Sequence, residues 1–111
     1  MAKEIEFDES KDDFNKIIEE NKNLPIFVDF NATWCGPCKA LKPVIEKTCK
    51  DNGFVLVAVD VDNNPELAEK YEVQGIPFVH LFLDGKSVGN FAGNNQDKLN
   101  ELVKKAKESK K

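Results

Sequence analysis

Two uninterrupted apolar runs, separated by a stretch with helical spacing, narrow the folds open to this chain more than anything else in it. Leu24 to Phe30 is apolar apart from Pro25 and Asp29, and Phe54 to Val59 contains no polar residue. Runs of this kind belong to interior strands covered on both faces. Between them Leu41, Val44, Ile45 and Thr48 recur at helical spacing, and Asn52-Gly53 supplies a stop. Strand, helix and strand in that order predict a right-handed parallel crossover. Pro25 stands at the start of its strand, where a missing N–H is tolerated. Pro43 falls inside the helix, where it removes a backbone hydrogen bond and predicts a kink.

The segment joining the first run to the helix is Trp34-Cys35-Gly36-Pro37-Cys38. It sits at a strand-to-helix junction, which places Cys35 at a helix N-terminus. There the unpaired N–H groups and the positive end of the backbone dipole favour a thiolate over a thiol. Cys38, one turn on, is close enough to close a small disulfide ring, so the pair can switch between dithiol and disulfide. Two blander readings stand beside this. A closed zinc site needs four ligands, and only Cys49 and His80 offer further soft donors. An inert pair of core cysteines is the other, and Gly36 with Pro37 opposes it because these residues shape a tight lead-in to a helix rather than fill space.

A chain of 111 residues fits a single domain spanning 1–111 and can bury a core without disulfide staples. The net charge of −4 gives no electrostatic case for binding nucleic acid or a membrane surface. Lysines gather at the end (Lys104, Lys105, Lys107, Lys110, Lys111), where cations complement the last turn of a helix. Met1 to Glu6 holds no apolar core of signal-peptide length, and no stretch approaches a membrane span. Three cysteines, an odd number, also fit poorly with a secreted disulfide framework. A reducing, cytoplasmic setting is therefore expected.

Further elements follow from local signals. Lys3 to Phe7 alternates as a short half-exposed strand. Ser10 with Asp13 reads as a helix start ahead of Phe14, Ile17 and Ile18, and Asn21 to Asn23 ends that helix. Asn64-Pro65-Glu66 has the form of an N-cap, a first-turn proline and an acidic first turn, opening a short helix through about Tyr71. Phe78 to Leu83 and Lys86 to Phe91 flank Asp84-Gly85 and predict an antiparallel hairpin. Gly93 then leads to Asn94 or Asn95 as the cap of a closing helix marked by Leu99, Leu102, Val103 and Ala106. Cys49 falls on the apolar face of its helix as a buried structural thiol, and His80 lies in a strand interior as a structural histidine.

The order β-α-β-α-β-α-β-β-α with Trp34-Cys35-Gly36-Pro37-Cys38 after the second strand resembles the thioredoxin family over essentially the whole chain. Val28-Asp29-Phe30, Ala32-Thr33, Pro43, Gly75-Ile76-Pro77 and Phe91-Ala92-Gly93 all stand where that family carries its counterparts. The resemblance implies an α/β thioredoxin fold, a central mixed five-stranded sheet flanked by four helices. It implies a protein-disulfide reductase in which Cys35 attacks a client disulfide and Cys38 releases the reduced client, with Gly36 and Pro37 tuning the couple. It implies a monomer with no bound cofactor or metal, recharged by thioredoxin reductase with electrons from NADPH. Asp29 would exchange a proton with Cys38 through water. Gly75, Ile76 and Pro77 would form a docking loop, with Pro77 in the cis form and the backbone of Ile76 pairing with a client strand. Trp34 and Gly93 would complete the contact patch, the Trp34 N–H held by Asp62. Two departures are visible. Ala58 stands where many relatives carry a lysine near the aspartate, so Asp29 is expected to titrate higher than in them. Phe78 follows Pro77 where threonine is common, and either packs inward or widens the docking patch.

Two other function classes compete. A dithiol oxidase or isomerase on the same fold usually carries histidine before its second cysteine, where this chain has Pro37. A non-catalytic interaction module would not need both cysteines intact.

Overall fold

The computed structural model describes residues 3–109, so Lys110 and Lys111 of the lysine-rich end, and Met1 with Ala2, lie outside the described residues. The first apolar run forms β2 (Ile26–Asn31) and the second β3 (Val55–Asp60), paired in parallel from Ile26 opposite Val55 to Asn31 opposite Asp60. Ile26 to Phe30 and Val55 to Val59 are each no more than 1% exposed, which is why both runs lack polar alternation. The helix between them, α2 (Gly36–Asn52), continues through Pro43 and stops at Gly53 in a left-handed conformation. β1 (Lys3–Glu6) adds in parallel to the far edge of β3. β4 (Phe78–Leu83) pairs antiparallel with β2, and after a turn at Asp84-Gly85 β5 (Lys86–Ala92) pairs antiparallel with β4 at the sheet edge. The sheet order is β1-β3-β2-β4-β5.

Helices cover both faces. Phe27, Leu56, Val79, Leu81 and Phe91 meet Leu41, Ile45 and Cys49 of α2 and Leu99, Leu102 and Ala106 of α4 (Gln96–Ser109). The residues between them, Val28, Phe30, Val57 and Phe82, meet Phe14 and Ile18 of α1 (Phe14–Glu20) and Leu67 of α3 (Pro65–Lys70). Each fully buried aliphatic or aromatic side chain contributes about 1.5–3 kcal/mol, so the two cores supply most of the force that orders the sheet. The expected mixed five-stranded sheet with four helices is thus present among the described residues. No helix among them is long and apolar enough to cross a membrane.

Two helix starts differ in detail from expectation, and a third falls on one of its two expected caps. Asp13 alone caps α1, accepting the Lys16 N–H at 3.3 Å, while the Ser10 hydroxyl donates to Asp8 at 2.7 Å. Asn64 precedes α3 but does not cap it with its side chain. Its amide is spent on long-range bonds, accepting the Glu9 N–H at 2.7 Å and donating to the carbonyls of Phe7 and Asp60. The Glu9 carboxylate caps α3 instead, accepting the N–H groups of Glu66 at 3.3 Å and Leu67 at 3.0 Å. At α4 the cap is Asn95, which accepts the Lys98 N–H at 3.0 Å.

Candidate active site

β2 ends at Asn31, and Ala32 to Trp34 carry the chain from the sheet to Cys35, the N-cap of α2. Cys35 has extended backbone geometry, as an N-cap must, and its Sγ accepts the Cys38 N–H at 3.2 Å. A hydrogen bond of this kind strengthens when the sulfur is negative, so it adds to the helix dipole in favouring a thiolate once the pair is reduced. Pro37 lies in the first turn, where its missing N–H leaves no bond unmade. Cys35 and Cys38 are joined as a disulfide with their Cα atoms 5.3 Å apart.

Three segments converge on this pair. The Ile76 carbonyl oxygen stands 3.9 Å from Cys35 Sγ, and Ile76 and Val61 pack against the small buried cluster of Ala32, Cys35 and Cys38. The Ile76–Pro77 bond is cis. The Gly93 N–H donates to the Pro77 carbonyl at 2.7 Å, and Gly93 holds φ +91°, a conformation that side-chain-bearing residues rarely adopt. Trp34 stands beside them, 69% exposed, with its indole N–H donating to Asp62 at 2.8 Å. It is the one large apolar side chain so exposed among the described residues. Cys35 itself is only 4% exposed, so the sulfur expected to be reachable lies beneath this rim.

Asp29 occupies the face of β2 that α2 covers, 1% exposed, with Ala58 and Val79 as its neighbours across the sheet. Burial pushes its carboxyl up to about 6, while Asn31 and Lys42 act to lower it and Glu46 and Glu6 to raise it. Asn31 went unnoticed in the sequence. The signal was there in its spacing, since side chains two apart on a strand share a face.

Cys49 and His80 stand apart from the site. Cys49 is buried in the core under α2, and desolvation pushes its thiol up to about 12. His80 shares a hydrogen bond of 2.8 Å between Nδ1 and Ser87 Oγ, and its ring sits among Tyr71, Phe78 and Phe82. Phe78 packs inward, its ring edge-on to His80 at 4.8 Å. Among the described residues no group of three or more His, Cys, Asp or Glu side chains is arranged to hold a metal.

The sequence profile of the thioredoxin family matches residues 6–105. The chain belongs to the thioredoxin family. It is 38% identical to rabbit (Oryctolagus cuniculus) thioredoxin over 104 residues, covering 93% of this chain and 96% of the relative. Against human thioredoxin the identity is 39% over 108 residues, covering 93% of this chain and 100% of the relative. The crystal structure of reduced Schistosoma mansoni thioredoxin pre-protein superposes with a TM-score of 0.84 at 33% identity, covering 94% of this chain and 98% of that one. Membership of the thioredoxin family, with a Cys-x-x-Cys pair at bonding distance, makes the chain an oxidoreductase that acts on disulfides by dithiol–disulfide exchange through Cys35 and Cys38. Thioredoxins in general reduce disulfide-containing client proteins and need no prosthetic group.

Proposed function

We propose that Cys35 is the attacking sulfur and Cys38 the resolving one. The observation that carries this assignment is the bond from the Cys38 N–H to Cys35 Sγ at the N-cap of α2, which favours negative charge on residue 35 and not on residue 38. The Cys35 thiolate attacks one sulfur of a client disulfide. A mixed disulfide forms and the first client sulfur leaves as a thiolate that takes a proton from water. Cys38 then loses its proton and attacks Cys35 Sγ, closing the Cys35–Cys38 disulfide and expelling the second client sulfur. Asp29 receives the Cys38 proton through water, a role suited to a carboxyl raised to about 6, which is mostly ionised at neutral pH and a stronger base than an ordinary carboxylate.

In the same reading a client segment lies along Gly75-Ile76-Pro77 in extended form, pairing with the Ile76 backbone and resting on Trp34 and Gly93. Gly36 and Pro37 tune the couple by shaping the first turn. The protein acts as a monomer, one domain over residues 1–111, in a cytoplasmic, reducing compartment. It is returned to the dithiol by thioredoxin reductase with electrons from NADPH. The odd cysteine count and the buried Cys49 thiol support a reducing setting.

Insulin reduction driven by NADPH and a thioredoxin reductase tests the reading. Cys35→Ser is expected to abolish turnover without forming a client adduct. Cys38→Ser is expected to stall as a client-linked mixed disulfide visible on a non-reducing gel. Adducts formed by Cys35→Ser through Cys38 would reverse the assignment. Equilibration with glutathione separates a reductase from an oxidase, since about 30 mV already corresponds to roughly 1.4 kcal/mol for a two-electron couple.

A further inference from the structure

Asn31, the last residue of β2, lies on the same face as Asp29 and is half-buried. Its Nδ2 donates to the Asp29 backbone carbonyl at 3.1 Å and stands 3.5 Å from the carboxyl Oδ2. The first bond ties the amide to its own strand. The second contact is at the long limit of hydrogen bonding, and it reaches only one of the two carboxyl oxygens. The other oxygen, Oδ1, is buried and has no hydrogen-bond partner among the described residues. The two carboxyl oxygens are therefore inequivalent.

We propose that Asn31 is a positioning residue for the proton transfer, its amide holding Oδ2 as a permanent acceptor and leaving Oδ1 as the oxygen that takes the proton from Cys38 and later yields it. This rests on the reading of Asp29 as the proton carrier. A carbonyl-type oxygen that accepts an N–H keeps its role whether the acid is ionised or not, whereas the oxygen with no partner is the one free to become O–H. As Cys38 attacks Cys35, its S–H proton passes through water to Oδ1, the sulfur's electron pair forms the new S–S bond, and the old bond's pair leaves with the client sulfur. The proton then goes to solvent and the carboxylate is restored.

The other groups around Asp29 cannot substitute for this amide. Ala58 and Val79, its neighbours on β3 and β4, carry no polar side-chain atom. From α2 it is faced by Lys42 and Glu46, of opposite sign, and by the neutral Cys49 thiol, and from β1 by Glu6. Lys42 acts through charge at a distance on a flexible stem, and the acids at 6 and 46 work against it. Asn31 supplies a fixed donor from the same strand, two residues along, and moves with the carboxyl it serves.

The test follows the Asp29 carboxyl by carbon NMR across pH, together with the pH profile of release of thionitrobenzoate from a Cys35 mixed disulfide by Cys38. Asn31→Ala removes the donor and is expected to raise the Asp29 midpoint by about half a pH unit, a threefold change in proton affinity, moving the release profile with it. Asn31→Ser, which keeps a donor, is expected to fall between wild type and Asn31→Ala. Asn31→Asp, which replaces the donor with an anion, is expected to exceed Asn31→Ala. This ranking is not what a purely structural role would give, and it survives the loss of any one variant to misfolding. A folded Asn31→Ala with an unmoved Asp29 midpoint, while Asp29→Asn still alters release, would overturn the role of Asn31 alone. A release profile unchanged by Asp29→Asn would overturn the carrier reading instead.

Discussion

Asp29 stands directly opposite Ala58 across the parallel β2–β3 pair, and Glu6 stands opposite Ala58 on the other side. The buried carboxylate therefore has a methyl group as its row neighbour and an acid beyond it. Ala58→Lys would place an ammonium in that row. Its effect is expected to be a fall in the Asp29 midpoint from about 6 and a matching shift of the Cys38 release profile to lower pH. Carbon NMR of the carboxyl reads the first and stopped-flow release the second. A midpoint that stays or rises would show that a charge in that row does not act on the Asp29 carboxyl.

Stability should respond to Asp29 with a definite sign. Its folded-state pKa lies above the ordinary 3.8, so between about 4 and 6 the folded chain holds more protons than the unfolded one. Stability from this group is present at low pH and is lost as pH rises through 6, amounting to about 3 kcal/mol at pH 7 for a shift of this size. Asp29→Asn is therefore expected to be more stable than wild type at pH 7, by about 1–3 kcal/mol, with the difference closing below pH 4. Urea unfolding at the two pH values measures it, and a variant less stable at pH 7 would contradict the burial cost.

His80 works in the opposite direction. Burial lowers its pKa, so as pH falls below about 6.5 the unfolded chain takes up a proton that the folded one refuses, and stability declines. His80→Phe keeps the aromatic volume beside Tyr71 and Phe78 and is expected to flatten the fall in stability between pH 7 and 5. The comparison is best made in the Asp29→Asn background, because Asp29 titrates in the same window with the reverse sign. An unchanged slope would mean that the folded chain binds the proton as readily as the unfolded one.

Trp34 is held at the rim by a single side-chain bond to Asp62. Asp62→Asn, and more strongly Asp62→Ala, are expected to lower the rate with protein clients about three- to tenfold, the equivalent of roughly 1 kcal/mol. The redox equilibrium with glutathione should not move, since neither sulfur loses a partner. Parallel insulin-reduction and equilibration assays distinguish the two, and a shifted equilibrium with unchanged client rates would place the bond's effect on the couple instead.

Glu9 caps α3 from a distant part of the chain. Glu9→Ala is expected to cost about 1 kcal/mol and Glu9→Gln less, because the amide oxygen still accepts. Hydrogen exchange at the amides of Glu66 and Leu67 should rise with the loss. Protection that is unaffected in Glu9→Ala would show that the helix start is held by other means.

Much of this architecture could be read along the chain because its signals are local. The two apolar runs announced β2 and β3, Asp84-Gly85 the hairpin, and the cysteine spacing the start of α2. What escaped depends on groups far apart in sequence. Asn64 has every mark of a capping residue, yet its side chain is drawn to Phe7 and Glu9, which no window around residue 64 contains. Asp13 is itself the cap that its spacing from Ser10 had suggested they share, because the helix starts three residues later and leaves Ser10 in the preceding turn, where its hydroxyl donates to Asp8. Asn31 was passed over because an asparagine closing a strand is ordinary until its neighbour two residues back proves to be a buried acid.

The depth of the two sulfurs has a consequence for which thiols the chain can exchange with. With Cys35 only 4% exposed and the Ile76 carbonyl 3.9 Å from its sulfur, little of residue 35 is open to an attacker. A protein segment can recover that steric cost by laying its backbone along the loop, whereas a small free thiol brings nothing to offset it. Exchange with small thiols is therefore expected to be slower than exchange with a partner long enough to lie along the rim, though both reach the same equilibrium.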